Sequence, residues 1–206
     1  MERASYFSGA YTLAPDNAYT VNGTAYETDA RGRITRFDGK TSMNPAPRSP
    51  SSQRRLPGKL PGEDAGHYMA ASQGGSGRVD NLGRMDHMVN VRDYRAMERE
   101  NEALMREGQE VTLHGTVTYE GESNRPDCFM VTREVTDPAA GLTRTDYLSW
   151  TNIDMAQFEN CDEWAALAEQ YPNPGAVDCF GPEVGSDLPD GEGLGPAQGE
   201  HNGLSL

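Results

Sequence analysis

Alternation of apolar and polar positions is the clearest signal along the chain. Residues 111–119, VTLHGTVTY, put Val111, Leu113, Gly115, Val117 and Tyr119 on one face, the period-two pattern of a half-buried strand. GESNRP then predicts a turn, and CFMVTREV from Cys128 predicts its returning partner. DYLSW, residues 146–150, predicts a further strand. Nearer the start, AYTV and TAYET flank Asn22-Gly23, a two-residue hairpin signal because both positions tolerate positive φ. Arg31-Gly32 turns the chain again into RITRF. Over residues 92–107 the period becomes helical: Tyr94, Met97, Asn101 and Leu104 or Met105 fall three or four apart, and Gly108 supplies the stop. A second, shorter helix is expected over 161–170 around Trp164 and Leu167, ending before Pro172. The elements sum to an α+β chain.

Glycine and proline divide it. Residues 39–62 hold eight Gly or Pro in 24 positions, with Lys40, Arg48, Arg54, Arg55 and Lys59 and no acid. This predicts a long basic loop, and loops beyond about 12–15 residues are usually functional or disordered. From Pro172 to Leu206, eight Gly and five Pro fall in 35 residues, above the roughly 25–30% associated with disorder. The expected organisation is an N-terminal lead over 1–17, a folded domain over 18–150, and an acidic, Gly/Pro-rich, partly disordered tail over 151–206.

A net charge of −14 argues at first against a nucleic-acid-binding chain, which is ordinarily basic. Its distribution changes that reading. All 18 basic residues lie between Arg3 and Arg144 against 21 acids in residues 1–150, so that part carries only −3. Residues 151–206 hold 11 acids and no Lys or Arg. Sixteen of the basic residues are Arg, which suits bidentate contacts to phosphate and equally fits a GC-rich genome. Cys128, Cys161 and Cys179 form neither a disulfide framework nor a zinc pattern. Free thiols are expected, with a Cys161–Cys179 pair as the alternative in an oxidising compartment. No apolar run of 18 residues exists, so no membrane-spanning helix is expected. The start, MERASYFSGAYTLAPDNAY, lacks the basic and apolar regions of an ordinary signal peptide.

Candidate chemistry concentrates in residues 62–100. His67 follows Asp64-Ala65-Gly66; a neutral imidazole can take a proton from water near pH 7, and Gly66 lets backbone approach a substrate closely. Taken alone, a surface histidine in a Gly-rich loop is the simpler reading. Asn90 stands before the predicted helix, where Asn serves as an N-cap or as an oxygen ligand for Mg²⁺. Glu98 lies eight residues on, about 80° from the same line of an α-helix. It is either a solvated helix charge or a group reaching water around such an ion.

Together these residues resemble the DNA/RNA non-specific endonucleases, the ββα-metal or His-Me finger nucleases, and most closely the branch found as toxin domains of secreted bacterial proteins. The D-x-G-H element is Asp64 to His67, followed by Tyr68-Met69-Ala70; a Gly-Gly turn follows at Gly74-Gly75. Asn81-Leu82 through Asn90 resembles the family's N-L-V-P-M-x-x-x-L-N, and Tyr94 with Met97-Glu98 its helix. Tyr119 to Asp127 resembles its Y-x-G-x-S-x-R-P-D turn, and Tyr26 to Asp29 with Gly32-Arg33 its entry hairpin. The resemblance covers roughly residues 18–150.

It implies a ββα-metal core with flanking antiparallel sheet, in which a hairpin carries His67 against the helix opened by Asn90. The implied activity is Mg²⁺- or Mn²⁺-dependent hydrolysis of phosphodiester bonds in DNA and RNA. His67 would be the general base, Asn90 the metal ligand, and Glu98 would orient water around the ion. Ala65 stands where better-known relatives have Arg, so the phosphate contact must come from elsewhere. Arg54 is the first candidate, since Gln53-Arg54 resembles a Q-R pair of the toxin branch, with Arg48 and Arg55 beside it. Asn81 and Arg84 are further expected substrate contacts. Gly83-Arg84 replaces Val-Pro and leaves the turn conformation there open. His87 is read as a supporting group near Asn90, His114 as exposed, and His201 as part of the tail. A secreted or delivered effector with a cognate immunity protein is implied, with no membrane partner. The competing expectations are a catalytically inactive nuclease-like module that binds a protein, and a sequence-specific HNH-type nuclease.

Overall fold

The computed structural model describes residues 6–152. The expected helix at 161–170, the acidic tail beyond Asn152, His201, Cys161 and Cys179 lie outside the described residues. The architecture is α+β and mainly antiparallel sheet. Strands β1 (Ala18–Val21), β2 (Thr24–Thr28), β3 (Ile34–Lys40), β6 (Glu110–Thr118), β7 (Cys128–Asp137) and β8 (Leu142–Thr151) form one six-stranded sheet in the order β1-β2-β3-β6-β7-β8. Every pairing in it is antiparallel.

The predicted alternation becomes the sheet's two faces. Val111, Leu113 and Val117 of β6 are buried, as are Phe129, Val131 and Val135 of β7. Asn22 and Gly23 both take positive φ, 51° and 81°, as a tight β1–β2 turn requires. Gly115 sits opposite Phe37, and a Cβ there would overlap the Phe37 ring. The glycine on the apolar face therefore admits an aromatic side chain from the neighbouring strand.

A second, two-stranded sheet pairs β4 (Glu63–His67) with β5 (Leu82–Asp86), antiparallel. A helix follows β5 directly: a π segment, Val89–Tyr94, continues into α2 (Arg95–Arg106). Its buried Val89, Tyr94 and Met97 join Tyr68, Met69 and Met85 in the core cluster that includes the inner face of the large sheet. Buried Arg133 of β7 fastens α2 to that face, bonding Glu100 at 3.0 Å, Asn101 at 3.1 Å and Asp146 at 2.9 Å.

Two expectations change. The basic stretch is not all loop: α1 (Pro50–Arg54) forms within it, with Ser49 as N-cap and Pro50 at the first helical position. That pair is an ordinary helix-start signal, which the density of Pro and Gly obscured. Cys128 is disulfide-bonded, not a free thiol.

Candidate active site

The site is built on β4, β5 and the helix after them. Gly66 and Gly83 are cross-strand partners, and neither position has room for a side chain. A Cβ on Gly66 would overlap Met85 Sδ and stand 3.0 Å from Asn90 Oδ1; one on Gly83 would be 2.5 Å from the Tyr68 hydroxyl oxygen. The paired glycines let the helix bring Asn90 directly onto β4, one residue before His67. Gly83 and Arg84 lie in regular strand, so the departure from the family's Val-Pro is absorbed without a break.

Asp86, not Asn90, caps the helix. Its Oδ1 accepts from Met88 N at 2.9 Å and Val89 N at 3.4 Å. Asn90 is thus released from capping, and its side-chain amide donates to Asp64 Oδ2 at 2.8 Å. The π segment also moves Glu98. A π turn advances about 80° per residue against about 100° in an α-helix. The eight steps from Asn90 to Glu98, half of them in the π segment, come to about 720°, two full turns. Asn90 and Glu98 therefore share one line along the helix. The Glu98 carboxylate is mostly buried and accepts from Arg95 Nη1 at 2.7 Å.

His67 is buried at 8% exposure, and its Nε2 has no hydrogen-bond partner among the described residues. Burial, reinforced by the nearby Arg48 charge, lowers its pKa to about 4. The ring is consequently neutral at physiological pH and can accept a proton. A buried ring nitrogen without a partner is costly, and such exceptions concentrate where chemistry needs the group.

Arg54, Lys59, Asp64, Ala65 and Asn90 line one cleft together with Pro50 and Gln53. Arg54 and Arg48 are exposed and make no ion pair among the described residues. The cleft thus sets two cations against one carboxylate, and that carboxylate is engaged: Asp64 Oδ2 also meets His87 Nδ1 at 2.9 Å.

The remaining expected contacts sit elsewhere. Arg55 donates to the Tyr11 hydroxyl at 2.7 Å, away from Asn90. Asn81 is fully buried. Its Oδ1 accepts from Tyr26 Oη and Met69 N, and its Nδ2 donates to the carbonyls of Met69 and Ser76, all within 2.9 Å. All four of its hydrogen-bonding positions are occupied by the protein. Arg84 donates to Pro57 O at 2.5 Å and Asn124 O at 2.6 Å. His114 meets Asp38 at 2.5 Å on the opposite face of the large sheet.

Asp64 and Lys59 were not singled out as site residues from sequence. Lys59 carries no local signal beyond its charge; Asp64 was visible only as part of the D-x-G-H element. The downstream turn motif proves to be a brace. Arg33 stacks over Tyr119 at 4.5 Å and donates to Gly121 O and Ser123 O, while Arg125 pairs with buried Glu63 at the start of β4.

A sequence model of the DNA/RNA non-specific endonucleases matches residues 15–137. The chain belongs to this family. Type VII secretion system protein EssD from Staphylococcus aureus strain USA300 is 32% identical over 126 residues, covering 56% of this chain and 20% of that protein. The corresponding protein of strain NCTC 8325 / PS 47 matches to the same extent. The chain thus spans about a fifth of the length of the curated relatives it matches.

This endonuclease family generally depends on a divalent metal ion. The donors present fit one. Mg²⁺ takes oxygen ligands, keeps several waters and needs few protein groups; Asn90 offers an amide oxygen, with the Asp64 carboxylate fixing the amide's other end. No group of three or more His, Cys, Asp or Glu among the described residues could cage a metal. A lightly held, hydrated cation suits the cleft better than a tightly ligated one such as structural Zn²⁺.

Proposed function

We propose that the chain is a divalent-metal-dependent nuclease that hydrolyses phosphodiester bonds of DNA and RNA without sequence preference, and that it acts as an exported toxin domain. The observation that carries this reading is a single strand, β4, that lines the Asn90 cleft with Asp64 and Ala65 and ends at His67, whose buried Nε2 has no partner among the described residues. His67 Nε2 accepts a proton from the attacking water as the water oxygen bonds phosphorus. The bond to the 3′ oxygen breaks and that oxygen takes a proton from solvent water, leaving 5′-phosphate and 3′-hydroxyl ends. Asn90 would hold Mg²⁺ or Mn²⁺, which would supply charge stabilisation to the phosphate when bound. Asp64 fixes the Asn90 amide. Arg54 and Lys59 bind substrate phosphates from the cleft wall, and Arg48 does so beside His67. Asn81 holds the backbone around Met69 and so positions the strand end bearing His67. Glu98 shares Asn90's line on the helix and orients water in the cleft.

Backbone contacts without base-edge readout give cleavage at many sequences, which this set of Arg and Lys provides. Export is supported by the likeness to a type VII secretion system protein and by the disulfide at Cys128, a bond that persists in oxidising surroundings. An immunity protein as partner belongs to the same reading. The test is cleavage of plasmid DNA and of RNA by the purified full chain with Mg²⁺, with Mn²⁺ and with EDTA. Cleavage abolished by EDTA and by His67→Ala is expected; full activity in His67→Ala would sink the mechanism, and discrete preferred sites would point to the sequence-specific alternative.

A further inference from the structure

We infer that the basic cleft is a docking surface for the chain's own acidic C-terminal segment, residues 153–206. The inference rests on the nuclease reading only for what the occupied cleft would fail to do, not for the contact itself.

Four observations lead there. First, Arg48, Arg54, Arg55, Lys59 and Arg78 make no ion pair with any carboxylate among the described residues, whereas Arg31, Arg33, Lys40, Arg92, Arg95, Arg106, Arg125 and Arg133 all do. Arg48, Arg54, Lys59 and Arg78 line the two grooves flanking α1, whereas Arg84, held by backbone carbonyls, and Arg99 on α2 are further cations without an ion pair among the described residues. Second, the complementary charge lies in one block: residues 153–206 carry 11 acids and no Lys or Arg. Third, the described chain ends on β5, the strand paired with the cleft-lining β4. Asn152 is buried, its Oδ1 accepting from Asp86 N at 2.6 Å and its Nδ2 donating to Arg84 O and Pro126 O. Asp86 faces Glu63 across the strand pair, and Glu63 accepts from Leu60 N at 2.8 Å, next to Lys59. The segment is 54 residues long and an extended residue spans about 3.3 Å, so its length allows it to reach the cleft. Fourth, Cys128 is disulfide-bonded, and the chain's other two cysteines, Cys161 and Cys179, both fall in the acidic segment.

Charge complementarity of this kind is strong at low ionic strength and is screened beyond about 10 Å at 0.1 M salt. The occupant competes with nucleic acid for the same cations, so it limits activity until salt, or a polyanionic substrate at sufficient concentration, displaces it.

Lysine is scarce enough to make the contact readable without activity. Only Lys40 and Lys59 are present, and Lys40 is already paired with Glu110 at 2.7 Å. Zero-length carbodiimide cross-linking of the full chain at low salt, with mass mapping of the monomer, should join Lys59 to carboxylates of residues 153–206. The Lys40–Glu110 link serves as internal control. High salt, or replacement of the segment's acids by Asn and Gln, should remove the Lys59 link and leave the Lys40 link. Absence of the Lys59 link at low salt while the control forms would overturn the inference. The acid-neutralised full chain should also cleave a short single-stranded oligonucleotide several-fold faster in kcat/KM at low salt, with the gap closing at high salt; an unchanged kcat/KM at low salt would overturn the claim that the segment covers the cleft. If no form of the protein cleaves, the nuclease reading fails while the cross-link still decides this one.

Discussion

The six-stranded sheet and the β4–β5–helix unit follow different rules. In the sheet, local propensity, alternation and burial agree: β6 and β7 bury Val111, Leu113, Val117, Phe129, Val131 and Val135 on one face. Even the polar intruder Arg133 is fully bonded there. The β4–β5 unit breaks those rules repeatedly. It pairs glycine with glycine at 66 and 83, buries His67 with an unpartnered nitrogen, and feeds a π turn into its helix. Sequences that specify one structure agree across levels, and departures concentrate where function needs them. Buried atoms without a hydrogen-bond partner also occur elsewhere among the described residues, His114 Nε2 of β6 for one, so what separates the two regions is the paired glycines, the π turn and a buried histidine in one unit, against regular alternation in the other.

The sharpest way to break that comparison is to remove the unsatisfied groups. His67→Ala and Asn90→Ala should each lower kcat by about 10²–10⁴-fold, the range of a lost general base or its equivalent, with thermal melting little changed. His67→Ala deletes a buried polar atom that has no partner, so it costs the fold no hydrogen bond through Nε2. A large fall in melting temperature for either variant would place these residues with the sheet instead.

The converse experiment removes the sheet's buried charge. Arg133→Ala takes from Asp146 its nearest partner, leaving Arg144 at 3.8 Å, and leaves Asn101 Oδ1 without its donor. Asn101 is fully buried, and an unsatisfied buried acceptor costs about 1–3 kcal/mol, so a clear drop in the urea midpoint is expected. Activity per folded molecule should fall far less than in His67→Ala. Equal losses of stability in the two variants would erase the distinction between the regions.

This contrast also sets what the sequence discloses. Strands β1, β2, β6 and β7 were legible because alternation and the Asn22-Gly23 turn are local properties. Helix α1 was hidden although Ser49-Pro50 announced it, since Pro and Gly density dominated that stretch. The cap at Asp86 displaced the expected start at Asn90, because capping depends on where β5 ends, and pairing with β4 decides that. Glu98 read about 80° off its partner under α geometry; nothing in VNVRDY signals a π turn, which arises from packing of Val89 and Tyr94 into the core. Asn81 and Arg125 were visible as motif residues, but motif spacing does not separate a brace from a contact. Their partners, Tyr26, Met69 and Glu63, lie 12 to 62 residues away in sequence.

Titration offers a finer division between the regions. With the His67 pKa lowered to about 4, the imidazole remains a base as pH falls through the ordinary histidine range near 6.5. The acid limb of kcat/KM should therefore pass through about pH 4 and not near 6.5. At pH 5.5, activity should be about tenfold above that expected for an ordinary histidine. The stability consequence has the opposite sense. The unfolded chain takes up the proton below about 6.5 and the folded chain does not, so His67 makes the fold less stable as pH drops from 6.5 toward 4. His67→Ala should flatten that part of the stability profile, and an unchanged slope would assign it to other groups.

The smallest expected effect tests whether a short element can serve the site without contributing much to the fold. Ser49 caps α1, accepting from Ser52 N at 3.3 Å and donating to Ser52 Oγ at 2.9 Å. Loss of such a cap costs about 1 kcal/mol, and in a five-residue helix that cost falls on the helix itself. Buried Leu56, just beyond α1, still anchors the chain against Val79 and Leu82, so global unfolding should not move. What loosens is the placement of Arg54 on the cleft wall. Ser49→Ala should raise KM by up to about fivefold, the population equivalent of 1 kcal/mol, with kcat and melting temperature unchanged. Ser49→Asp should restore KM, because a carboxylate caps as well as a hydroxyl. If Ser49→Asp also bound substrate weakly, added negative charge near Arg48 and Arg54 would be the cause, and salt titration of KM would show it.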